Sequence, residues 1–298
     1  MPSWNTCPVC GSSDSRPYVA FAELEFVACT SCGSVYKSSE QPELLPDDFY
    51  EGDYFRGRKS GREKRFEHRV KKAERWLSVA LESVEAKSML DVGCSLGYVI
   101  EAGDRLKLAS TGCDISEYAV EACRERGYRA EVGTMEELPF KDGEFDIVSM
   151  KHVLEHTPTP REALAEIARV SSDDAAVVIA VPDLNYWKGR WQRRRYRYFR
   201  PDDLGRQHYV YYTVDSLCRL LESCGYAVRA RSKAVFRRKR AGRGPIAAVV
   251  ESGRYAALAV WQGIAQTFGL RRELFVVAQR VPAKAQPAEP EQRAAAGA

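Results

Sequence analysis

The chain has 298 residues, of which 45% are hydrophobic and 29% are charged, and its formal net charge is +4. This composition is typical of a soluble globular protein with one large domain and room for an accessory domain. The mild charge does not by itself indicate nucleic-acid binding, and the lack of an uncharged apolar run of ~20 residues argues against a transmembrane helix. No basic segment followed by an apolar one opens the chain, so the sequence predicts no signal peptide and a cytoplasmic location.

Two cysteine pairs near the N terminus form the most specific motif. Cys7 and Cys10 make one C-x2-C knuckle, and Cys29 and Cys32 make a second one. Four thiolates in two close pairs can enclose one Zn²⁺ tetrahedrally, and such a metal would be structural because all four ligands are protein. The alternative is a set of unliganded or redox-active cysteines. We predict a zinc ribbon, with a strand at 21–28 between the knuckles.

An aromatic linker and an amphipathic helix are predicted over residues 39–84. The linker contains the aromatic run 49–55, which either closes over a ligand as a lid or packs onto the neighbouring domain. Apolar residues recur at helical spacing over 61–82, with charged residues between them. This pattern predicts a helix with one buried face.

From Ser88 onward, predicted strands and helices alternate, which indicates a doubly wound, mostly parallel α/β sheet with right-handed crossovers. The predicted strands cover 89–92, 110–114, 129–132, 145–150, 176–181, 226–230 and 273–279. Predicted helices end near 106 or cover 117–126, 160–170, 214–223 and 246–268. The last strand lies where such sheets often add an antiparallel strand.

The first of these strands leads into a glycine-spaced turn. Asp91 closes the strand, and Gly93 and Gly97 bracket the turn before a helix begins. Glycines there let a nucleotide-like ligand approach the backbone at the carboxyl end of the strand. A dinucleotide oxidoreductase would favour the fuller G-x-G-x-x-G with a pyrophosphate. The spacing found here suits a ligand without pyrophosphate, and Asp114, which ends the next strand, can accept ribose hydroxyls.

These motifs resemble those of class I S-adenosylmethionine (SAM)-dependent methyltransferases, through the segments 90–99, 113–116, 134–140, 145–150 and 152–156. More closely, the chain is similar to the bacterial branch with an N-terminal zinc ribbon that is common in sugar and natural-product gene clusters. The resemblance runs from residue 7 to about residue 281. It implies a zinc ribbon at 1–38 and a seven-stranded Rossmann-like methyltransferase domain at 85–282, and the composition of 283–298 predicts a disordered tail. One departure is Ser95, where the family's loop most often has glycine.

The resemblance also implies a set of cofactor contacts. The loop from Gly93 through Cys94 to Gly97 would face the methionine part of SAM, and Asp91 would act on its amine directly or through water. Asp114 would bind the ribose. The remaining implied contacts are Ile115 on the adenine, Met135 and Glu136 at its edge, and Lys151 and His152 on the floor of the site. For Ile115 and Met135 the alternative is ordinary core packing.

A hydroxyl acceptor would also need a base, and the chain has four histidines. His68 lies on the charged predicted helix, which indicates a surface position. His156 either acts in the site or caps the loop before Pro158. His208 follows the fifth strand of the sheet, at the ligand-binding edge, so we expect it to be the base or a substrate contact. The alternative is a structural histidine bonded to backbone.

Two basic clusters are the other distinctive feature. One includes Arg193–Arg195 with interleaved aromatic residues, and the other spans 237–243. Arginine forks suit an acceptor that carries a phosphate or carboxylate, whereas arginines beside stacking aromatics also suit RNA. Basic residues before the apolar segment 246–268 could instead contact an anionic membrane surface. A solvated loop surface is the fourth interpretation.

The sequence therefore predicts SAM-dependent methyl transfer to a small-molecule or glycosidic acceptor. O-methylation of a sugar, a nucleotide- or lipid-linked sugar or a natural product is favoured. The alternatives are an RNA methyltransferase and a non-catalytic scaffold whose zinc ribbon recruits a partner. Oxygen, nitrogen and carbon acceptors share this scaffold, and we expect the segment 184–212 to choose among them.

Overall fold

The computed structural model describes residues 6–22, 24–38, 62–186, 191–196, 198–200, 207–231 and 273–281. The strands in these ranges are β1 (Ser15–Ala20), β2 (Glu25–Cys29), β3 (Val35–Lys37), β4 (Ser88–Val92), β5 (Ala109–Asp114), β6 (Arg129–Val132), β7 (Phe145–Lys151), β8 (Ser171–Pro182), β9 (Val210–Tyr211), β10 (Tyr226–Arg231) and β11 (Glu273–Arg280). The α-helices are α1 (Arg62–Ala80), α2 (Tyr98–Arg105), α3 (Glu117–Glu125), α4 (Pro160–Val170) and α5 (Val214–Ser223).

Seven strands form the main sheet in the order β10-β11-β8-β7-β4-β5-β6. The pairs from β8 to β6 are parallel, whereas β11 runs antiparallel to both of its neighbours. Helices alternate with the parallel strands along the chain. The predicted doubly wound, mostly parallel seven-stranded sheet is confirmed, including the antiparallel last strand.

Local sequence signals account for the helix ends. The side chain of Ser116 caps α3 by accepting a hydrogen bond from Ala119 N–H at 3.2 Å. Thr213 and Ser216 form a reciprocal capping box at the start of α5, and Gly225 follows its end with a φ of +83°. These caps satisfy helix-terminal groups that would otherwise lack partners. They also place the loops of the ligand-binding edge.

A second sheet contains four strands in the order β1-β2-β3-β9. Its first three strands carry the two cysteine knuckles at their ends, and β9 comes from the larger domain and pairs antiparallel with β3. The strand predicted at 21–28 is wrong in its bounds. Phe21 N–H donates to Leu24 O at 2.8 Å, and this turn divides the apolar run between β1 and β2. The ribbon is thus a hairpin plus one strand, completed by the larger domain.

Several predicted segments lie outside the described residues, namely most of the linker with its aromatic run 49–55, the basic cluster 237–243, the helix predicted at 246–268 and the tail at 283–298. The predicted amphipathic helix is present as α1, which buries Trp76 and Leu77 against the main sheet domain. In the part of the chain that the structure describes, no helix combines the length and apolarity needed to cross a membrane.

Candidate active site

A cavity of about 1060 Å³ opens where β4, β5, β6 and β7 end. Its walls come from the loops that follow these strands, from one face of α1, and from residues 207–209. Cavities that bind small molecules typically measure ~300–1,000 Å³, so this one can hold a cofactor and part of a second molecule. The sheet edge agrees with the rule that open α/β sheets bind ligands at the carboxyl ends of their strands.

The turn after β4 brings backbone against the cavity. Gly93 has a φ of +70°, and a Cβ built on it would lie 2.3 Å from Cγ2 of Val153. Gly97 has a φ of +82° and directly precedes α2. Ser95 between them has a φ of +52°, a left-handed conformation that costs a residue with a side chain about 1–2 kcal/mol. The turn therefore favours glycine at Ser95, where the resembled family most often has it.

Asp91 is buried at the end of β4, with 2% of its surface exposed, and accepts a hydrogen bond from the Ser149 hydroxyl. Burial raises the pKa of Asp91 to about 7, with a smaller contribution from the charge of Asp114, while the Ser149 bond and Lys151 oppose the rise. Asp91 is not among the residues that line the cavity. This position favours the water-mediated form of its predicted contact with an amine.

Asp114 lines the cavity at the end of β5. Its Oδ2 accepts from Ser95 N–H at 2.8 Å and its Oδ1 accepts from Ser116 N–H at 3.0 Å. These two bonds orient the carboxylate at the cavity wall. Ile115 beside it is 50% exposed, so its apolar surface is available to a ligand rather than buried in the core.

Met135 and Glu136 follow β6 and line the same end of the cavity. Met135 is half-buried and packs against the main hydrophobic core while it also lines the cavity, so its contact with adenine stays a prediction. Glu136 Oε1 accepts a hydrogen bond from the Thr157 hydroxyl. The structure therefore brings the predicted adenine-side residues together with Asp114 around one space.

Lys151 ends β7 and His152 follows it. Both lie near the carboxylate of Glu273, which also binds Lys72 of α1. Glu273 Oε1 lies 3.2 Å from His152 Nε2 and 3.7 Å from Lys151 Nζ, and Glu273 Oε2 accepts from Lys72 at 2.7 Å. Burial alone raises the pKa of Glu273, but the bond with His152 and the charge of Lys151 outweigh it and lower that pKa. His152 itself has a φ of +56°. A network of fixed charges therefore lines this side of the cavity.

The two histidines predicted as catalytic meet at the opposite end. Their rings are 4.7 Å apart between centroids and nearly perpendicular. His156 Nδ1 donates to Gln207 O at 3.0 Å, so Nε2 is the unprotonated nitrogen of the neutral ring. His208 is 3% exposed, and its ring stacks on that of Tyr198 with 5.3 Å between the ring centroids. Both line the cavity, beside buried Glu155.

Some predicted residues do not join the site. The buried Cys94 side chain packs against Cys123, with 4.0 Å between the sulfur atoms, and lies away from the cavity lining. Arg194 and Arg195 are exposed, and no described arginine of this cluster lines the cavity. Arg194 instead lies 5.5 Å above the ring of Phe21. The described arginines of this cluster therefore lie at the protein surface, where Arg194 contacts the ribbon.

Sequence reasoning missed the cations and the carboxylate that do line the cavity. Arg65, Arg69 and Lys72 share one face of α1, and Glu273 is the first residue of β11. Their i, i+4, i+7 spacing placed the three cations on one helix face. Because β11 is antiparallel, its first residue lies at the edge where the parallel strands end. The predicted antiparallel direction of the last strand could therefore have placed Glu273 at the cavity.

The four ribbon cysteines fit a tetrahedral metal. All are free, and their sulfur atoms lie within 4.8 Å of one another. Cys7 and Cys32 are 3.6 Å apart between sulfurs, and Cys10 and Cys29 are 3.5 Å apart. Four sulfurs bound to one Zn²⁺ at ~2.3 Å would be about 3.8 Å apart, which agrees with these distances.

Residues 90–179 match a family model that is described as a methyltransferase domain. This segment begins in β4, ends in β8 and contains Asp91, Gly93, Asp114 and the β7 end that carries His152 and His156. It therefore includes the end of the cavity that Gly93 and Asp114 line. The ribbon and residues 207–211 lie outside it.

Two curated relatives cover part of the chain. A ubiquinone biosynthesis O-methyltransferase of Alkalilimnicola ehrlichii is 31% identical over 117 residues, which are 37% of this chain and 47% of that protein. A norajmaline N-methyltransferase of Rauvolfia serpentina is 28% identical over 149 residues, which are 46% of this chain and 51% of that protein. The chain thus spans about half the length of these relatives.

Among solved structures, an S-adenosylmethionine-dependent methyltransferase from Mesorhizobium loti aligns with a TM-score of 0.49 and 15% sequence identity. The alignment covers 71% of this chain and 100% of that one.

Proposed function

We propose that the chain methylates a hydroxyl group of a small-molecule acceptor with SAM as the methyl donor, because residues 90–179 match a family model described as a methyltransferase domain. One observation carries this proposal. A single cavity joins the glycine turn and Asp114 at one end to His156 and His208 at the other. A methyl donor and an acceptor bound in it would meet between these two ends.

The cofactor end has the features that SAM requires. Gly93 lines the cavity, and because it has no side chain the turn can pack closely against Val153 with a positive φ. Asp114 offers oriented carboxylate oxygens for ribose hydroxyls, and half-exposed Ile115 offers an apolar face for adenine. Asp91 and the network around Glu273 supply charges for the amino and carboxylate groups. When bound, SAM supplies an electrophilic methyl group on a sulfonium.

The acceptor end can orient a hydroxyl and take its proton. His156 is fixed as the tautomer with an unprotonated Nε2, because its Nδ1 donates to Gln207 O. Burial lowers the pKa of His156, so the ring is neutral near pH 7 and can accept a proton. His208, stacked on Tyr198, would fix the acceptor beside it. Holding the nucleophile in line with the methyl group can supply much of the rate.

The relatives include one named as an O-methyltransferase and one named as an N-methyltransferase. We favour oxygen because the acceptor end is buried and provides unprotonated imidazole, which a hydroxyl needs and a neutral amine does not. A sugar, a nucleotide- or lipid-linked sugar or a phenolic natural product would fit this chemistry. The cations on α1 would suit an acceptor with a phosphate or carboxylate.

The proposal has a direct test in two steps. Isothermal titration should detect SAM binding, and transfer of labelled methyl from SAM should be measured against a panel of sugars, sugar nucleotides and phenols. Asp114→Ala should abolish binding, whereas Asp142→Ala, at an exposed aspartate outside the cavity, should not. Absence of binding at millimolar SAM would overturn the cofactor assignment. Transfer to amines but not hydroxyls would overturn the acceptor atom.

We also propose that Cys7, Cys10, Cys29 and Cys32 bind one structural Zn²⁺. The sulfur distances and the lack of disulfides support it. Metal analysis of the purified chain should find one zinc, and Cys10→Ser should remove it. Zinc retained at full stoichiometry in that variant would contradict the ligand set.

A further inference from the structure

We propose that Glu155, His156 and His208 bind a divalent transition-metal cation at the acceptor end of the cavity. One carboxylate oxygen and one nitrogen from each histidine lie within 4.8 Å of one another. Metal–ligand bonds of ~2.0–2.2 Å place ligand atoms of one ion about 3–4 Å apart. The cluster accommodates such an ion with small rotations of its side chains. This site is separate from the four ribbon cysteines.

The carboxylate of Glu155 gives a second, independent reason. Glu155 is fully buried, yet within the described ranges its Oε2 has no hydrogen-bond partner. Its other oxygen, Oε1, lies 3.1 Å from His152 Nδ1. A buried carboxylate oxygen without a partner is unfavourable, and a cation bound to Oε2 would remove that cost. Glu155 also lines the cavity, so a ligand can reach it.

The surrounding hydrogen bonds are those that metal ligands generally have. Metal-binding histidines donate their other ring nitrogen to a carbonyl or carboxylate, and metal-binding carboxylates accept a further hydrogen bond. His156 donates Nδ1–H to Gln207 O, so Nε2 carries the lone pair of the neutral ring. Glu155 has His152 on its other oxygen. The two ligands adjacent in sequence are thus already oriented.

The ligand set indicates the class of cation. Two imidazoles and one carboxylate suit Zn²⁺, Fe²⁺, Co²⁺ or Ni²⁺, whereas Mg²⁺ and Ca²⁺ prefer oxygen ligands alone. Three protein ligands leave coordination positions that water or a substrate can fill. Those positions would open into the cavity. The acceptor class is therefore a molecule with a hydroxyl, or two adjacent hydroxyls, that can bind a metal.

This role rests on the proposed function for its acceptor, while metal binding itself does not. A bound cation lowers the pKa of a hydroxyl, so its proton passes to water near pH 7. The oxygen lone pair then forms the bond to the methyl carbon, and the carbon–sulfur pair returns to sulfur as a neutral thioether. In this scheme the histidines act as metal ligands. The cation lowers the pKa of the hydroxyl and water takes its proton, so neither histidine acts as the base.

Cobalt titration of the intact chain tests the site without an acceptor. Protein whose ribbon is loaded with zinc is titrated with Co²⁺, and visible absorption and zinc content are followed together. We expect one Co²⁺ per chain with weak d–d bands, no thiolate charge-transfer band and no zinc release. Glu155→Gln should weaken cobalt binding about 100-fold or more. His68→Gln, at an exposed histidine of α1 that lines the cavity outside the cluster, is the matched control and should bind cobalt normally.

Denaturant unfolding of each variant reports whether it is folded, because His152 links Glu155 to the cofactor end and makes SAM affinity a less independent measure. If Glu155→Gln cannot fold, His208→Gln serves in its place. Cobalt bound only with thiolate bands, or bound equally by these variants, would overturn the proposal. Methyl transfer that continues undiminished in cation-depleted protein with its ribbon zinc intact would overturn its role in the reaction and leave the proposed function standing. Cobalt binding without methyl transfer to any acceptor would support the site and count against the proposed function instead.

Discussion

The backbone N–H of Tyr209 donates to the carbonyl oxygen of Glu155 at 2.8 Å. On the other side, the carbonyl of Tyr209 accepts from Lys37 N–H at 3.1 Å. Tyr209, which follows His208, is therefore hydrogen-bonded both to the loop after β7 and to β3 of the ribbon. The position of the acceptor end depends on the ribbon through these two bonds and the pairing of β3 with β9.

Loss of ribbon metal should therefore impair turnover more than cofactor binding. Cys10→Ser should lower methyl transfer by up to about 100-fold, because a shift of ~1 Å at a reacting group can have that effect. Its SAM affinity, measured by titration calorimetry, should change less than about twofold, since Gly93 and Asp114 lie at the other end of the cavity from His208. Cys224→Ser, at a half-buried free cysteine outside the knuckles, is the control and should retain activity. Equal losses in SAM affinity and turnover would contradict this division.

Gly93→Ala should destabilise the fold by about 1–3 kcal/mol and weaken SAM binding, because the added Cβ would overlap Val153. Denaturant unfolding and calorimetry measure the two effects. Gly143→Ala separates strain from overlap, since Gly143 also has a positive φ, of +68°, but has open space around it. The double variant Gly93→Ala/Val153→Ala should recover part of the stability. A Gly93→Ala chain no less stable than the Gly143→Ala chain would refute the overlap.

Ser95→Gly should stabilise the chain by about 1 kcal/mol or less, since glycine adopts the φ of +52° without strain but loses more entropy on folding. The hydrogen bond from residue 95 N–H to Asp114 is retained, so SAM affinity should not fall. Lys107→Gly, at an exposed position with a φ of +68°, should give a similar gain far from the cavity. A lower melting temperature for Ser95→Gly alone would show that the serine side chain contributes something the backbone does not.

The titration of Asp91 should make stability depend on pH. Its pKa is 3.8 for an unperturbed aspartate and about 7 in the folded chain, so between these values only the folded state keeps the proton. The free energy of unfolding should therefore decrease as the pH rises from 3.8 to about 7, by up to roughly 4 kcal/mol. Denaturant unfolding at several pH values measures the slope. Asp91→Asn should reduce the slope in this range, and an unchanged slope would refute the assignment.

Cofactor binding should be coupled to the same proton. The ammonium of SAM favours an ionised carboxylate, so binding near and below pH 7 should release a proton from Asp91 and become tighter as the pH rises. Calorimetry in buffers of different ionisation enthalpy counts the protons released. Asp91→Asn should bind SAM with a smaller release, and Asp142→Asn should behave as the unmodified chain. Identical proton counts in the Asp91 variant and the unmodified chain would place the ammonium elsewhere.

The main sheet could be predicted from the sequence because its strands and helices alternate with clear boundaries. Helix α4 covers the predicted range 160–170, and α3 begins at residue 117 as predicted, with Ser116 as its cap. Strand β8 was the exception, since it begins at Ser171, before its apolar run. The polar residues 171–174 form the first part of β8, and Ser171 pairs with Phe145 of β7. Composition alone does not reveal such backbone pairing.

The candidate site was predictable only where a motif is local. The positions of Gly93 and Asp114 could be predicted because each lies at or just after the end of a predicted strand. Both residues line the cavity. The contribution of α1 and of Glu273 depends on tertiary packing and strand direction, which no short motif encodes. The two-residue strand β9 is too short to leave a pattern in the sequence, so its pairing with the ribbon was missed.

The shared sheet has a consequence for building chimeras. Strand β9 belongs in sequence to the larger domain but in structure to the ribbon, and His208 lies two residues before it. Exchanging residues 1–38 alone between relatives would pair a foreign β3 with a native β9 and shift the acceptor end. Deleting the ribbon would uncover Tyr211 and Phe199, which pack with Phe26. The smallest unit that can be transplanted intact is therefore discontinuous, and it comprises the ribbon together with residues 198–212.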